Sequence, residues 1–266
     1  ATIGRFYHNS NVHAEYLKHF DHRLVKNEPP CPDRRFHYSK VPEIEAEMLR
    51  REKEMEKLTE KYPSGTEKWF EGFFKWQPMY MELRGDCGAP AYCTRDGQTV
   101  RTAAEKIRQL AEQNKRFFFN VGLAKPHAPL RAPKKFMDQF DPDSIPLKAP
   151  PEKDQNIPDC AKRYGKARDI FKPEFQEYSR FRQTPENERE AKAAYFGCVS
   201  FIDAQIKILL DTLKDAGIAD RTIVVIFGDH GFHLGEHGLS SKASMFDQTI
   251  HVPLFVRVPG MPGNGQ

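Results

Sequence analysis

Residues 221–227 (RTIVVIF) form a β-branched run that stops at Gly228. Asp229, His230, Gly231, Phe232, His233, Leu234, Gly235, Glu236, His237 and Gly238 follow at once, with Lys242 four residues further on. A run apolar on both faces reads as a strand buried in a parallel sheet, and open α/β sheets bind their ligands just beyond the carboxyl ends of such strands. This stretch therefore constrains fold and function together. It asks for an α/β sheet and puts Asp229 and His230 where chemistry is usually done.

The residue types narrow that chemistry. A carboxylate beside an imidazole can hold a divalent cation, the carboxylate suiting hard ions and the imidazole suiting zinc, copper or iron. Lys242 adds a point positive charge, and glycines at 228, 231, 235 and 238 are expected to let the backbone come close to a bound group. Cation, lysine and close backbone together favour an anionic substrate. Three histidines within the segment also admit a structural zinc site, but such sites are commonly cysteine-rich and no Cys lies nearby. His233, Glu236 and His237 are read as hydrogen-bonded loop residues, which leaves Asp229, His230 and Lys242 as the functional set.

A length of 266 residues accommodates one large α/β domain or two small ones, and the composition, with 39% hydrophobic residues, is that of a globular chain. No apolar run approaches the roughly 20 residues that cross a bilayer, so no membrane span is expected. The formal charge is +4, but Lys and Arg are interleaved with acids, whereas a nucleic-acid surface shows a clustered basic stripe. No nucleic-acid partner is expected. The five cysteines form neither a disulfide framework nor a metal pattern. Cys87 and Cys93 lie close enough in a Gly- and Pro-containing loop to bridge, and Cys198 reads as a small core residue.

Along the chain, residues 42–62 have the composition of a solvated helix with alternating charges, read as a surface insertion. A strand is expected at 79–83, and the aromatic density around Trp69 and Trp76 is attributed to packing. Residues 99–114 place Val100, Ala103, Ile107 and Leu110 on one helical face. The run 117–123 (FFFNVGL) reads as a second buried strand, and it leads into Lys125, Pro126, His127, Ala128 and Pro129. Proline disfavours helix at the residue before it, so Lys125 and His127 are expected on a stiff, extended loop, either a functional strand-end loop or a surface loop with incidental charge. Residues 141–183 read as an irregular excursion. From Pro185 a long helix is expected with Tyr195, Val199, Ile202, Ile206, Leu209 and Leu213 on its apolar face and a stop at Gly217. Strand, helix and strand then imply a right-handed crossover between parallel strands, with a last strand at 252–258.

These segments resemble the sulfatases of the alkaline phosphatase superfamily, and within them the iduronate-2-sulfatase-like branch. The resemblance rests on GRFYHN at 4–9, KPHAPLRAPKKF at 125–136, YFGCVSFIDAQI at 195–206, GDHGFHLGEHGLSSK at 228–242 and HVPLFVRVPG at 251–260, in that order. It implies an alkaline phosphatase-like α/β fold, a mixed, largely parallel sheet flanked by helices, of which residues 1–266 form part of a single catalytic domain. It implies calcium ligation by Asp229 and His230, sulfate contacts by Lys242 and Lys125, and a histidine, His127 or His8, at the leaving oxygen. The position that is usually lysine in the first motif is Arg5, which keeps a positive charge able to grip a sulfate oxygen pair but cannot give up a proton.

The implied activity is hydrolysis of a sulfate ester on a sugar or polysaccharide, in a periplasmic, extracellular or lysosomal setting. The implied nucleophile is a formylglycine made from cysteine. Cys31 is followed by Pro32, Asp33, Arg34 and Arg35, which does not match the family's modification motif, and it follows the GRFYHN segment instead of preceding it. The nucleophile and the remaining metal ligands are therefore expected upstream of residue 1. Two alternatives stand beside this reading: a phosphodiesterase or phosphonate hydrolase of the same superfamily, and a non-catalytic degenerate homologue.

Overall fold

A computed structural model describes residues 2–4, 23–24, 42–62, 84–147, 184–236, 240–242 and 244–262. Arg5, His8, Cys31, both tryptophans, the strand expected at 79–83, most of 141–183, His237 and Gly238 lie outside the described residues.

Strands β1 (Thr2–Gly4), β2 (Arg23–Leu24) and β4 (Asn120–Gly122) form one parallel sheet in the order β2-β1-β4. Strand β3 (Arg84–Asp86) pairs in parallel with β5 (Leu130–Ala132). Two further pairs are antiparallel: β6 (Val224–Phe227) with β9 (Leu254–Arg257), and β7 (His233–Leu234) with β8 (Ser240–Ser241). Helices α1 (Pro42–Lys61), α2 (Arg95–Glu112), α3 (Lys134–Met137), α4 (Pro185–Asp215) and α5 (Asp247–Ile250) complete the described elements.

The fold class is thus the expected mixture of helix and strand, but strand β6 corrects its own reading. Among the described residues it pairs with β9, antiparallel, and there the crossover from 117–123 through α4 ends in no parallel pair. Parallel sheets need cover on both faces. Here Val224 packs under Ile107, Leu213 and Ile218, while Phe227 is 68% exposed and all four residues of β9 are exposed. The FFFNVGL segment behaves similarly. Only 120–122 is strand, and Phe117 and Phe119 turn to the core while Phe118 turns to solvent.

Helix α4 begins with Thr184, whose side chain accepts from Asn187 N–H, followed by Pro185 and by acidic residues in the first turn. It ends as expected at Gly217. The N–H groups of Gly217 and Ile218 donate to the carbonyls of Lys214 and Leu213, the double bond pattern of a Schellman stop. Its buried track is rotated from the predicted stripe. Ala194, Gly197, Cys198, Phe201 and Gln205 face inward, Val199 is exposed, and Ile202, Ile206 and Leu209 are half-buried. The reason is close approach: α4 lies against β5 and α3, and Ala194, Cys198 and Phe201 join Leu130, Ala132 and Phe136 in one cluster that includes a tilted ring pair of Phe136 and Phe201. Small residues occupy the tightest contact and the larger aliphatics flank it. By length and composition α4 is also apolar enough to cross a membrane, but its inward track and its packing on α2 and β5 make it the core helix of this fold.

Cys87 and Cys93 do not bridge. Gly88 N–H donates to Asp86 Oδ1, Cys87 Sγ donates to the Ala89 carbonyl at 3.4 Å, and Cys93 is carried off on the 3-10 turn Ala91–Cys93. Cys198 is the buried core thiol expected, and burial pushes its pKa up to about 12.

One buried charge joins the sheet to this helix. The Arg84 guanidinium of β3 donates to Asn187 Oδ1 and, at 3.4 Å, to Glu190 Oε2, both on the first turns of α4 and all three buried. Breaking a buried ion pair by removing one partner costs about 3–5 kcal/mol. Glu190→Ala should therefore lower the unfolding free energy by that amount in urea titration. Asp211→Ala, which breaks the exposed pair with Lys207, should change it little.

Candidate functional site

Two loops carry the described candidate residues. The first follows β4. Asp96, in the first turn of α2, accepts the N–H of Ala124 at 2.7 Å on Oδ1 and that of Lys125 at 3.0 Å on Oδ2. His127 N–H then donates to the Ala124 carbonyl at 2.9 Å, so residues 124–127 make a turn and not the extended loop expected from the prolines. Both X-Pro bonds, Lys125-Pro126 and Ala128-Pro129, are cis. The Lys125 ammonium lies across the turn and donates to the carbonyls of His127 (2.9 Å) and Pro129. Burial holds its pKa below the ordinary lysine value.

His127 contacts the Ala128 carbonyl through Nδ1 at 2.7 Å. A carbonyl can only accept, so Nδ1 carries the proton and Nε2 carries the lone pair of the neutral ring. His230 repeats the pattern, with Nδ1 donating to the Gly231 carbonyl at 2.8 Å.

The second loop follows β6. Asp229 is 82% exposed at its side chain, its Oδ1 accepts the N–H of His230 at 3.0 Å, and its Oδ2 lies 3.6 Å from His230 Nε2. The imidazole lone pair and a carboxylate oxygen thus stand side by side, with the far ring nitrogen anchored to a backbone carbonyl as in metal-binding histidines. This donor pair fits a divalent cation as part of a shell. Among the described residues, no group of three or more His, Cys, Asp or Glu converges to complete one.

Behind the pair, Gly231 N–H donates to the Thr249 carbonyl at 2.8 Å, and a Cβ on Gly231 would stand 2.0 Å from the Gln248 carbonyl oxygen. The close approach predicted for these glycines is therefore made, at Gly231, to the protein's own backbone and not to a ligand. His233 is 1% exposed, with Nε2 at 2.7 Å from Ser244 Oγ, which in turn lies 2.9 Å from Thr249 Oγ1. Glu236 accepts the Leu234 N–H at 2.7 Å. Both are the hydrogen-bonded loop residues expected. Pairing of His233 with Ser241 places Lys242 directly after the second strand of a hairpin whose first strand begins three residues after His230, and the Ser244 N–H donates to the Lys242 carbonyl.

Helix α4 backs both loops. Tyr195 packs on the cluster that holds Leu130 and Ala132, just past the first loop, and stacks on Phe232 of the second at 5.6 Å. Cys198 is close enough to Lys125 for each to influence the other's charge.

The model of the family described as Sulfatase matches residues 48–265. The chain belongs to the sulfatase family. Iduronate 2-sulfatase of Homo sapiens is 35% identical over 170 residues, covering 62% of this chain and 30% of the relative. Choline-sulfatase of Rhizobium meliloti is 30% identical over 183 residues, 63% of this chain and 33% of the relative. The sulfatase chain thus spans about a third of the length of the curated relatives it matches. Among solved structures, the phosphonate monoester hydrolase of Silicibacter pomeroyi superposes with a TM-score of 0.56 over 79% of this chain and 42% of its own, at 24% identity, which supports the alkaline phosphatase-like fold. Membership of the family implies a divalent metal ion in general.

Asp96 was not legible in the sequence of this sulfatase chain as a site residue. The sequence predicts this helix from residue 99, whereas it starts at Arg95, so Asp96 falls before the expected helix and not in its first turn. Nothing local shows that it reaches amides 28 and 29 residues away.

Gly231→Ala should cost about 1–3 kcal/mol of stability in chemical denaturation, because the added methyl meets backbone that cannot rotate aside. A second expectation concerns Lys125. Its lowered native pKa means that the penalty for burying the ammonium is full below that pKa, where folded and unfolded chains are both charged. As pH rises toward 10.5, the native amine loses its proton first and the penalty is relieved. Urea titrations over that window should show wild type gaining stability relative to Lys125→Met.

Proposed function

We propose that the protein carrying this chain is a sulfuric ester hydrolase that removes sulfate from a sulfated sugar. The observation that carries the reading is the backing of two strand-end loops by one helix, through Tyr195: a turn bearing His127 on one side, and the loop bearing Asp229 and His230 on the other. Family membership and the similarity to a protein named iduronate 2-sulfatase support a sulfated uronic sugar as the substrate class.

The geometry supports roles for the described residues, and the family resemblance those of Arg5 and His8. His127 keeps its Nδ1 proton on the Ala128 carbonyl, so Nε2 is the atom that exchanges a proton with the departing alcohol oxygen. Lys242 offers a point charge to a sulfate oxygen. Lys125, bonded to the His127 and Pro129 carbonyls, adds positive charge from the wall of the turn. Asp229 and His230 would hold the metal, calcium in this reading, which supplies charge compensation for the sulfate group. Arg5 as a sulfate clamp and His8 as an alternative acid complete the set.

Cys87 and Cys198 do not supply the nucleophile, since burial raises both pKa values and keeps the thiols protonated. A formylglycine is the nucleophile in this reading, on the family resemblance. The same donors would also accept a phosphoryl group, so the assay must include both esters.

The test uses the full-length gene product matured with formylglycine, offered 4-nitrophenyl sulfate, sulfated uronic disaccharides and a phenyl phosphonate monoester. Sulfate release is expected to dominate, to fall on calcium chelation, and to fall about 10²–10⁴-fold in kcat with His127→Ala. Preference for the phosphonate ester would replace the sulfatase reading with the phosphonate hydrolase one. Inactivity on every ester would leave a non-catalytic homologue.

A further inference from the structure

We propose that Asp96 is a positioning residue for the 124–127 turn, its carboxylate holding the Ala124 and Lys125 amides so that His127 is carried in one fixed place. The proposal rests on the reading of His127 as the proton donor and adds to it a residue from a different element.

Several observations converge on Asp96. It is 4% exposed, and a buried carboxylate is costly unless its oxygens are satisfied. Both are satisfied by the loop, one oxygen to each of two consecutive amides. Two bonds from one planar group fix both the direction and the twist of the peptide they hold. Those amides follow the end of β4 at Gly122, where the strand ladder no longer supplies acceptors.

Asp96 is spared the task of capping its own helix. Thr94 does that, its Oγ1 accepting the Gly97 N–H at 3.0 Å while donating to the Ala91 carbonyl at 2.7 Å. The helix start is also unable to slide. A Cβ on Gly97 would stand 1.8 Å from the Ala91 carbonyl oxygen, so the backbone of α2 is pressed against the 3-10 turn before it. Val100, Ala103 and Ile107 bury the rest of that face. The carboxylate therefore sits on a rigid support, in the favourable field of a helix N-terminus.

From Asp96 the constraint runs through named bonds. The fixed 124–125 peptide offers the Ala124 carbonyl to His127 N–H, which closes the turn, and His127 Nδ1 is then set by the adjoining Ala128 carbonyl. An asparagine at 96 has nearly the same shape, but it presents an NH2 where an oxygen is needed, so one amide loses its acceptor. A misplacement of a catalytic group by about 1 Å can cost about a hundredfold in rate.

The experiment compares wild type, Asp96→Asn and the surface control Asp138→Asn in the matured full-length protein. Expected for Asp96→Asn is a fall in kcat of about ten- to a hundredfold on 4-nitrophenyl sulfate, with KM changed less than about threefold and the alkaline limb of the kcat–pH profile, where a proton donor is lost, displaced. Amide exchange at Ala124 and Lys125 should quicken by about tenfold or more while the α2 amides stay protected. Asp138→Asn should match wild type.

Unchanged exchange at both amides overturns the proposal, and so does faster exchange with kcat within about twofold of wild type. A merely structural role would lower folded yield without moving the pH limb. Should Asp96→Asn not be recovered folded, Asp96→Glu, which keeps the charge and moves the oxygens by one methylene, must show the same signs or the proposal fails. A wild type that releases no sulfate defeats the enzyme reading alone. The exchange measurement then decides by itself whether Asp96 holds the turn.

Discussion

The inward track of α4 is the constraint on which the rest of the molecule depends. Ala194, Gly197 and Cys198 are small enough to let the helix press on α3 and β5, and that contact sets where the first loop begins and where its backing ends. One turn away, Tyr195 carries the same helix onto Phe232 of the second loop. Two segments about a hundred residues apart in sequence are thereby referred to one rigid rod. A larger residue at 197 would meet Met137 and the Phe136 carbonyl, so helix spacing and loop spacing are a single packing problem.

Buried polar groups do the finer placement. Arg84 ties β3 to the start of α4 through Asn187 and Glu190, Asp96 ties α2 to the turn after β4, and His233 ties β7 to the segment holding Ser244 and Thr249. Each anchor removes a costly group from water and is tolerable only with its partners in place. That requirement makes them specific. An apolar contact survives a shift of an ångström, whereas a bidentate carboxylate or a buried imidazole does not. The functional reading draws on this rigidity, because proton transfer and anion binding need donors held still before substrate arrives.

The ribbon of β6 and β9 shows the limit of arguing from composition to environment. Its residues are apolar enough for a buried parallel sheet, and in the described structure Phe227, Leu254 and Phe255 are exposed while Val224 alone joins a core cluster. Apolar content records what a strand tolerates, not which neighbour covers it. The same distinction explains the rotated stripe of α4. Hydrophobic periodicity weights Val199 and Ile206 by size, and packing selected Gly197 and Ala194 by fit.

Local rules alone determined that helices cover residues 42–61 and 185–215 and that one lies near 99–112, although it starts four residues earlier at Arg95, together with the stop at Gly217, the last strand, the core position of Cys198, and the hydrogen bonding of His233 and Glu236. Those features depend on neighbours within a few residues, where capping, periodicity and side-chain chemistry act. The ordered motifs pointed to the family as well, and the family model that matches residues 48–265 shows it. Only the tertiary structure decided the partner of β6, the turn at 124–127, the separation of Cys87 and Cys93 as unbridged cysteines, and the reach of Asp96 across 28 residues. Pairing direction and long-range hydrogen bonds are settled by which surfaces meet after the helices pack. A one-dimensional pattern holds no record of that meeting.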